Sequence, residues 1–335
     1  MNEINKNRIQ SRMSLLSLTP CAIFILIVTL MTGVSELTSE PEIIFPEAAA
    51  IALGALIAPG LPWKVNKISA LMLVFICAVA GLTISRYVLL PLEYKLIIAY
   101  ITGLFFYTFF GTSFAPIISA AVLPVLMNTR SLIYIAAAVS LTALVLVARY
   151  ILERAKFRSH ERAEIMPLPG AGHIAEFIFR SAVVTIVCIF AIKTGFKFLV
   201  CPPLLVAFTE FTVHGNKALR SPVGTFSILT LCATAGTLAR LLCSVAGAPL
   251  TLAALLTGII VAAAVYATEI YLPPAAAIAI LAMLLPSDAL PSYPLQIAAG
   301  ALLYLLFGQV SDIVLPDPAR ECRITQPCQR IQSIR

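Results

Sequence analysis

Arg240 lies well inside the apolar run Val223–Val245, and Arg86 takes nearly the same place earlier in the chain. Arg240 comes four residues after Gly236 and Arg86 five after Gly81. Charge inside an apolar segment is costly and is usually kept for function or pairing. The two arginines are therefore candidates to hold an anionic group of a solute, or to pair internally with a carboxylate. Glu47 follows Pro46 in what reads as the first turn of a short helix. There a carboxylate complements the positive end of the helix dipole, and it could also couple a proton or a cation. Glu210, eight residues past Pro202 in an otherwise apolar stretch, is the sharper candidate for that coupling role. Glu269, near the end of Pro249–Tyr271 and just before Pro273-Pro274, reads equally as a further carboxylate candidate or as an interfacial residue. The run Gly111-Thr112-Ser113 precedes Pro116 and would bring hydroxyls and backbone N–H groups to a helix start.

The elements that must position these groups come in two lengths. Leu15–Val34, Ile68–Leu89, Lys95–Phe110, Ser131–Leu152, Phe177–Val200, Val223–Val245, Pro249–Tyr271 and Pro294–Leu315 are each long enough to cross a bilayer as a helix. Between them lie four shorter apolar segments, Pro46–Ala58, Pro116–Met127, Pro202–His214 and Pro273–Pro286. All four open with proline, and two open with a pair, Pro202-Pro203 and Pro273-Pro274. Proline suits the first helical turn, where its missing N–H costs nothing, so these read as short helices with defined starts. Their free N–H groups and positive dipole ends are candidates to face a buried site.

The order long, short, long, long, short, long occurs twice. Ala80-Gly81-Leu82 recurs as Ala235-Gly236-Thr237, and Thr102-Gly103 as Thr257-Gly258. Gly81, Gly103, Gly236 and Gly258 read as close-packing positions between membrane helices. The expected organisation is a tail at 1–14, a first transmembrane repeat at 15–153, a linker at 154–176, a second repeat at 177–315 and a basic tail at 316–335. If the short segments re-enter, the chain has about eight spans; if they cross, about twelve. Lys64, Lys67, Lys217 and Arg220 fall on the same side as the basic linker only if the short segments cross, so the positive-inside rule favours twelve. Both versions leave both termini and the linker in the cytoplasm. Lys193 and Lys197 go against the rule and would snorkel.

Composition supports the same class. Hydrophobic residues make up 60% of the chain and charged residues 12%, and the mean hydropathy is +0.97. A soluble domain carries about twice that share of charge. The net charge of +7 gathers in Lys6, Arg8 and Arg12, in Arg149, Arg154, Lys156, Arg158 and Arg162, and in Arg320, Arg323, Arg330 and Arg335. That is the pattern of cytoplasmic segments, not of a nucleic-acid surface. Cys21, Cys77, Cys188, Cys232 and Cys243 lie in apolar runs as small hydrophobes, and the spacing of Cys322 and Cys328 matches no zinc pattern well. His160 and His173 fall in the linker and His214 beside a loop. No phosphate-cradling loop, metal pair or nucleophile–histidine arrangement stands on a membrane segment. The chain therefore reads as neither an enzyme nor a cofactor or metal protein.

Pro203-Leu204-Leu205-Val206-Ala207-Phe208, Ser221-Pro222-Val223-Gly224, the Ala235-Gly236 helix and Leu272-Pro273-Pro274-Ala275-Ala276-Ala277 together resemble the layout of the HPP family of integral membrane proteins. The resemblance covers Phe177–Gly308 and, more faintly, the first half through Pro46 and Ala115-Pro116. Pro273 and Pro274 match the motif's two prolines, and Leu272 stands where the motif has its histidine. Some members of that family are associated with nitrite transport, so the resemblance implies transport of a small anion.

The expectation is an all-α polytopic transmembrane bundle of two tandem repeats in the cell (inner or plasma) membrane. Its function would be that of a secondary carrier or channel for a small solute, the anionic case being the one the arginines would serve. Arg86, Arg240, Glu47, Glu210, Thr112, Ser113, Pro116, Pro202, Pro203, Pro273 and Pro274 would line the site. Membrane lipids and the solute are the expected partners, with a homo-oligomer left open. Two alternatives stand beside this: a non-catalytic subunit that scaffolds or regulates a membrane complex, and a lipid-handling protein.

Overall fold

The computed structural model describes residues 3–159 and 171–315, without the side chains of residues 3–17 and 171. The side chains of Lys6, Arg8 and Arg12, the linker stretch with His160, Arg162 and Pro167–Gly170, and the C-terminal stretch with Arg320, Cys322, Arg323, Cys328, Arg330 and Arg335 lie outside the described residues.

The described residues form α-helices and shorter helical turns, with no strand. The helices are α1 (Glu3–Thr38), α2 (Pro46–Ala52), α3 (Lys67–Tyr87), α4 (Leu92–Phe109), α5 (Pro116–Leu126), α6 (Ile133–Arg154), α7 (Ala171–Thr194), α8 (Pro202–Phe211), α9 (Lys217–Arg220), α10 (Pro222–Val245), α11 (Leu250–Thr268), α12 (Pro273–Leu281) and α13 (Tyr293–Val314). Eight of them (α1, α3, α4, α6, α7, α10, α11 and α13) are long and apolar enough to cross a membrane. Residues 3–14, read as a tail, form the opening turns of α1. Residues 171–176, read as linker, belong to α7. The apolar stretch 177–200 is divided, because Gly195 at φ +81° ends α7 in a conformation that favours glycine.

The short helices start at Pro46, Pro116, Pro202 and Pro273, and none uses a side-chain cap. Each proline supplies a preset φ and one fewer N–H to satisfy in a dry interior. α2 continues as a π-helical turn over Leu53–Ile57 and α12 as a tighter turn over Ala282–Leu284. Every residue of α2, α5 and α12 is buried apart from the C-terminal Leu126 of α5. The long helices surround them and turn apolar side chains such as Ile186, Phe190, Leu238 and Leu302 outward. That is the surface a hydrocarbon solvent requires.

The direction of each segment follows from contacts at its two ends. Call the end where α6 finishes and α7 starts the linker end. The Phe45 N–H donates to Met31 Sδ (3.3 Å), and the Phe45 ring meets Tyr134, at the start of α6, edge-on at 6.0 Å. The far end of the same segment meets the other end of α6. Arg149 Nη1 donates to the Ala55 carbonyl and Arg158 Nη2 to the Ile57 carbonyl, both at 2.7 Å. Residues 39–57 thus run the length of the bundle, first through a 3₁₀ turn over Pro41–Ile43 and then as helix. Lys67 Nζ then meets Glu153 at 2.8 Å, so α3 starts at the linker end. A re-entrant α2 would have put Lys67 at the opposite end from Glu153. In the second half Phe198 N–H donates to Gln296 Oε1 (3.0 Å) at the opposite end, while Arg180 Nε donates to Thr212 Oγ1 (2.6 Å) at the linker end. α8 therefore crosses as well. α5 and α12 run the other way, and eight full-length helices with four half-length ones complete twelve passes between the two ends.

The pairings between helices fall into two sets of one form. α3 packs on α4, α5 and α6, and α10 packs on α11, α12 and α13. Across the halves α1 packs on α11 and α7 on α4, while α2 packs on α12 and α8 on α5. Single contacts pair up too. Tyr134 donates its hydroxyl to the Ala120 carbonyl (2.8 Å), and Tyr293 donates to that of Ile278 (2.7 Å). A Cβ on Gly81 would lie 2.2 Å from the Ala121 carbonyl oxygen, and one on Gly236 2.1 Å from that of Ala279. At both places a helix backbone touches the next one directly, which only glycine permits.

Candidate functional site

Glu47 stands where the short helices meet. The Ala-rich α2 packs against α12 and α5, and all three offer small side chains at the contact. Small residues bring the backbones close and leave little room for a large polar partner. Glu47 is 1% exposed, and neither carboxyl oxygen has a hydrogen-bond partner. The Ser119 hydroxyl of α5 lies nearby without the geometry of a full hydrogen bond, and it too has no partner. Tyr134 of α6, Cys201 just before α8 and Tyr293 of α13 are within electrostatic reach of the carboxyl. The hydroxyls of both tyrosines are already given to helix carbonyls. The counterpart positions in the other half hold Pro203 and Ala277, so the arrangement carries a carboxyl on one side only.

A carboxylate without a partner in apolar surroundings is expensive. Such a group must hold a proton or meet a cation.

The linker end carries the paired charges. Arg149 is 2% exposed. It donates to Glu153 Oε1 (2.7 Å), to the Ala55 carbonyl and to the Ser159 carbonyl (2.8 Å). With Arg158 it satisfies carbonyls that the end of a helix in the interior leaves open. Beyond the ends of the helices, burial and the nearby Arg149 charge lower the pKa of Arg158 from its ordinary value. Arg180, 1% exposed, donates to Glu176 (2.8 Å) and Thr212 and lies over the Tyr107 ring. Both ion pairs are i,i+4 pairs within one helix. Glu210 Oε1 accepts from Trp63 Nε1 at 3.0 Å, so a carboxyl of the second half fixes an indole of the first. A cleft of about 530 Å³ opens here, bounded by Ile51, Trp63, Lys67, Phe114, Arg149 and Glu153 among others.

The expected site residues divide among these places. Glu47 and the buried prolines Pro116, Pro202, Pro203, Pro273 and Pro274 belong to the four-helix crossing. Glu210 is partly buried and lies at the end of α8 beside Trp63. Ser113 accepts the Lys64 N–H at 2.6 Å, and Thr112 accepts the Phe114 N–H at 3.1 Å, so both hydroxyls shape the loop before Pro116. The two arginines stand elsewhere. Arg86 is exposed in the last turn of α3, at the end opposite the linker. Arg240 is partly buried beside Glu36, whose carboxylate takes the Leu250 and Thr251 N–H groups at the start of α11. Glu269 is exposed at the αL end of α11. The sequence reading did not single out Arg149, Glu153, Glu176 or Arg180 as interior groups; the signals are that Arg149 and Arg180 fall inside the apolar stretches 131–152 and 177–200 and that each has a carboxylate at i,i+4 spacing.

Compared with protein-family models, with curated proteins and with solved structures, the chain has no match in any of the three.

Proposed function

We propose that the chain is a secondary carrier for a small solute, with Glu47 as the group that takes up and gives back a charge during the cycle. The observation that carries this reading is a carboxyl without a hydrogen-bond partner, 1% exposed, at the crossing of four half-length helices. Interrupted helices that meet inside a bundle are how carriers commonly build a site. The paired helix contacts support two six-segment halves related by an approximate two-fold axis through that crossing. Lys64, Lys67, Arg149, Arg154, Lys217 and Arg220 gather at the linker end, which supports a cytoplasmic placement of that end in an inner or plasma membrane. Arg86 and Arg240 are removed from the crossing. An anionic solute would meet Glu47 first and would travel most easily when that carboxyl holds a proton.

The test uses purified protein in liposomes loaded with a pH-sensitive dye. Small anions are offered first, nitrite among them as the HPP resemblance suggests, followed by neutral and cationic solutes. The wild type is expected to move protons with one solute, and Glu47→Gln is expected to fold with the same gel-filtration profile and uncouple the two fluxes. Equal coupling in Glu47→Gln would remove Glu47 from the cycle.

A further inference from the structure

Ile51 and Ala55, which form the inner wall of the linker-end cleft, belong to the same segment as Glu47. Four residues separate Glu47 from Ile51, about one turn or 6 Å along a helix, and residues at that spacing share a face. The cleft therefore reaches the turn of α2 next to Glu47, and Ile51 is its lining residue nearest to Glu47 along the helix. Its mouth lies between α3 and α6, where the Lys67 side chain is 38% exposed and pairs with Glu153. Its side wall is Trp63, packed edge-on against Phe114 at 5.2 Å. Trp63 sits directly over the π turn: a Cβ on Gly54 would lie 2.6 Å from its ring. The space is large enough for several waters, its lining is mostly apolar, and its charged groups stand at the mouth.

We propose that this cleft is the linker-side route by which a proton reaches Glu47, with Ile51 as the last side chain between them. The inference rests on the reading of Glu47 as the coupling group. The titratable groups facing Glu47 are Tyr134, Cys201 and Tyr293. α5 and α12 contain none, and of those in the described side chains of α1, Cys21 is buried and Glu36 is engaged with Thr251. The charged groups of the cleft, Lys67, Arg149 and Glu153, are bound to one another at its mouth. Ile51 lies two residues before the π turn that starts at Leu53, and a rotation of its side chain would open the last step.

The experiment uses the full chain with Cys322→Ser and Cys328→Ser to silence the tail. Ile51→Cys and Ala55→Cys are treated with a charged methanethiosulfonate. The thiolate attacks the reagent's divalent sulfur, a disulfide forms and methanesulfinate leaves. Glu47 is then labelled with a water-soluble carbodiimide, to which the protonated carboxyl adds, and the O-acylisourea rearranges to a stable N-acylurea read by peptide mass. Both cysteines would line the cleft and are expected to react at least tenfold faster than native Cys232, which is equally buried but outside it. Modification at Ile51→Cys is expected to slow labelling of Glu47 at least tenfold. Ala55→Cys, the smaller change, carries the accessibility arm if Ile51→Cys does not fold. Cysteines no more reactive than Cys232, with Glu47 still labelled, would overturn the route and leave the coupling role standing. Reactive cysteines with Glu47 unlabelled in every variant would overturn the coupling role and the destination of the route together.

Discussion

Alanine at four glycines gives a graded test of how the helices touch. At Gly81 the added Cβ would lie 2.2 Å from the Ala121 carbonyl oxygen, and at Gly236 it would lie 2.1 Å from that of Ala279. At Gly103 the nearest atom is the Ile118 Cα at 2.8 Å, and at Gly258 nothing is nearer than 3.7 Å. A tolerable contact needs the first two helix pairs to part by about 1 Å, against backbone that cannot rotate away as a side chain can. Overpacking of that kind costs about 1–3 kcal/mol, and alanine's better helix propensity returns about 0.5–1 kcal/mol. With a clash against backbone taken at the upper end of that range, the expected net loss is about 2 kcal/mol for Gly81→Ala and Gly236→Ala, a factor of roughly 30 in the folded ratio. Gly103→Ala should lose about 1 kcal/mol, and Gly258→Ala should be neutral or slightly stabilised. The assay is reversible unfolding in mixed micelles with rising dodecyl sulfate, followed by fluorescence of Trp63, the only tryptophan in the chain. Wild-type stability in Gly81→Ala and Gly236→Ala, or a loss at Gly258→Ala larger than at either, would refute the packing.

Two further perturbations probe the polar contacts in the same assay. Arg149→Ala removes a buried guanidinium from Glu153 and from two carbonyls. It should cost about 3–5 kcal/mol, with Arg149→Lys recovering part of the loss; a cost under about 1 kcal/mol would mean the pair is not buried. Tyr134→Phe and Tyr293→Phe each delete one hydroxyl bond to a helix carbonyl. Each should cost about 1 kcal/mol, and unequal losses would count against equivalent roles for the two tyrosines.

The proline starts of the short helices are legible because proline acts locally: Pro46, Pro116, Pro202 and Pro273 open the helices in the sequence and in the fold alike. The passage of α2 through the bundle was legible through Lys64 and Lys67, whose charge sets the side on which a loop can rest. Arg149 was not legible. By sequence it groups with the basic residues of the linker, and only the packing of α6 against the end of α2 makes it an interior group. Glu47 and Glu210 were both named as candidates, and the fold sets them in different surroundings. Glu210 looked more isolated along the chain, yet it meets Trp63, 147 residues away. Glu47 looked like an ordinary first-turn carboxylate, yet its surroundings are the alanines of α12 and α5. Arg86 and Arg240 take similar places along α3 and α10, Arg86 exposed in the last turn of α3 and Arg240 partly buried beside Glu36. The glycines separate in the same way. Gly81, Gly103 and Gly236 touch backbone directly, whereas Gly258 does so at ordinary distance.

The packing of α1 on α11 sets the order of events during synthesis. Glu36 at the end of α1 accepts the N–H of Leu250, 214 residues later. At about 5–20 residues per second, the ribosome reaches Leu250 roughly 10–40 s after Glu36. For that interval the first half is already in the bilayer with α1 lacking its neighbour and the Ala face of α2 lacking α12. A nascent chain stopped before α11 would leave α2, which carries Glu47, without the α12 face it packs on in the finished fold. The first half is therefore a waiting intermediate, and proteins that guard unassembled membrane segments have their longest opportunity on this chain before the second half arrives.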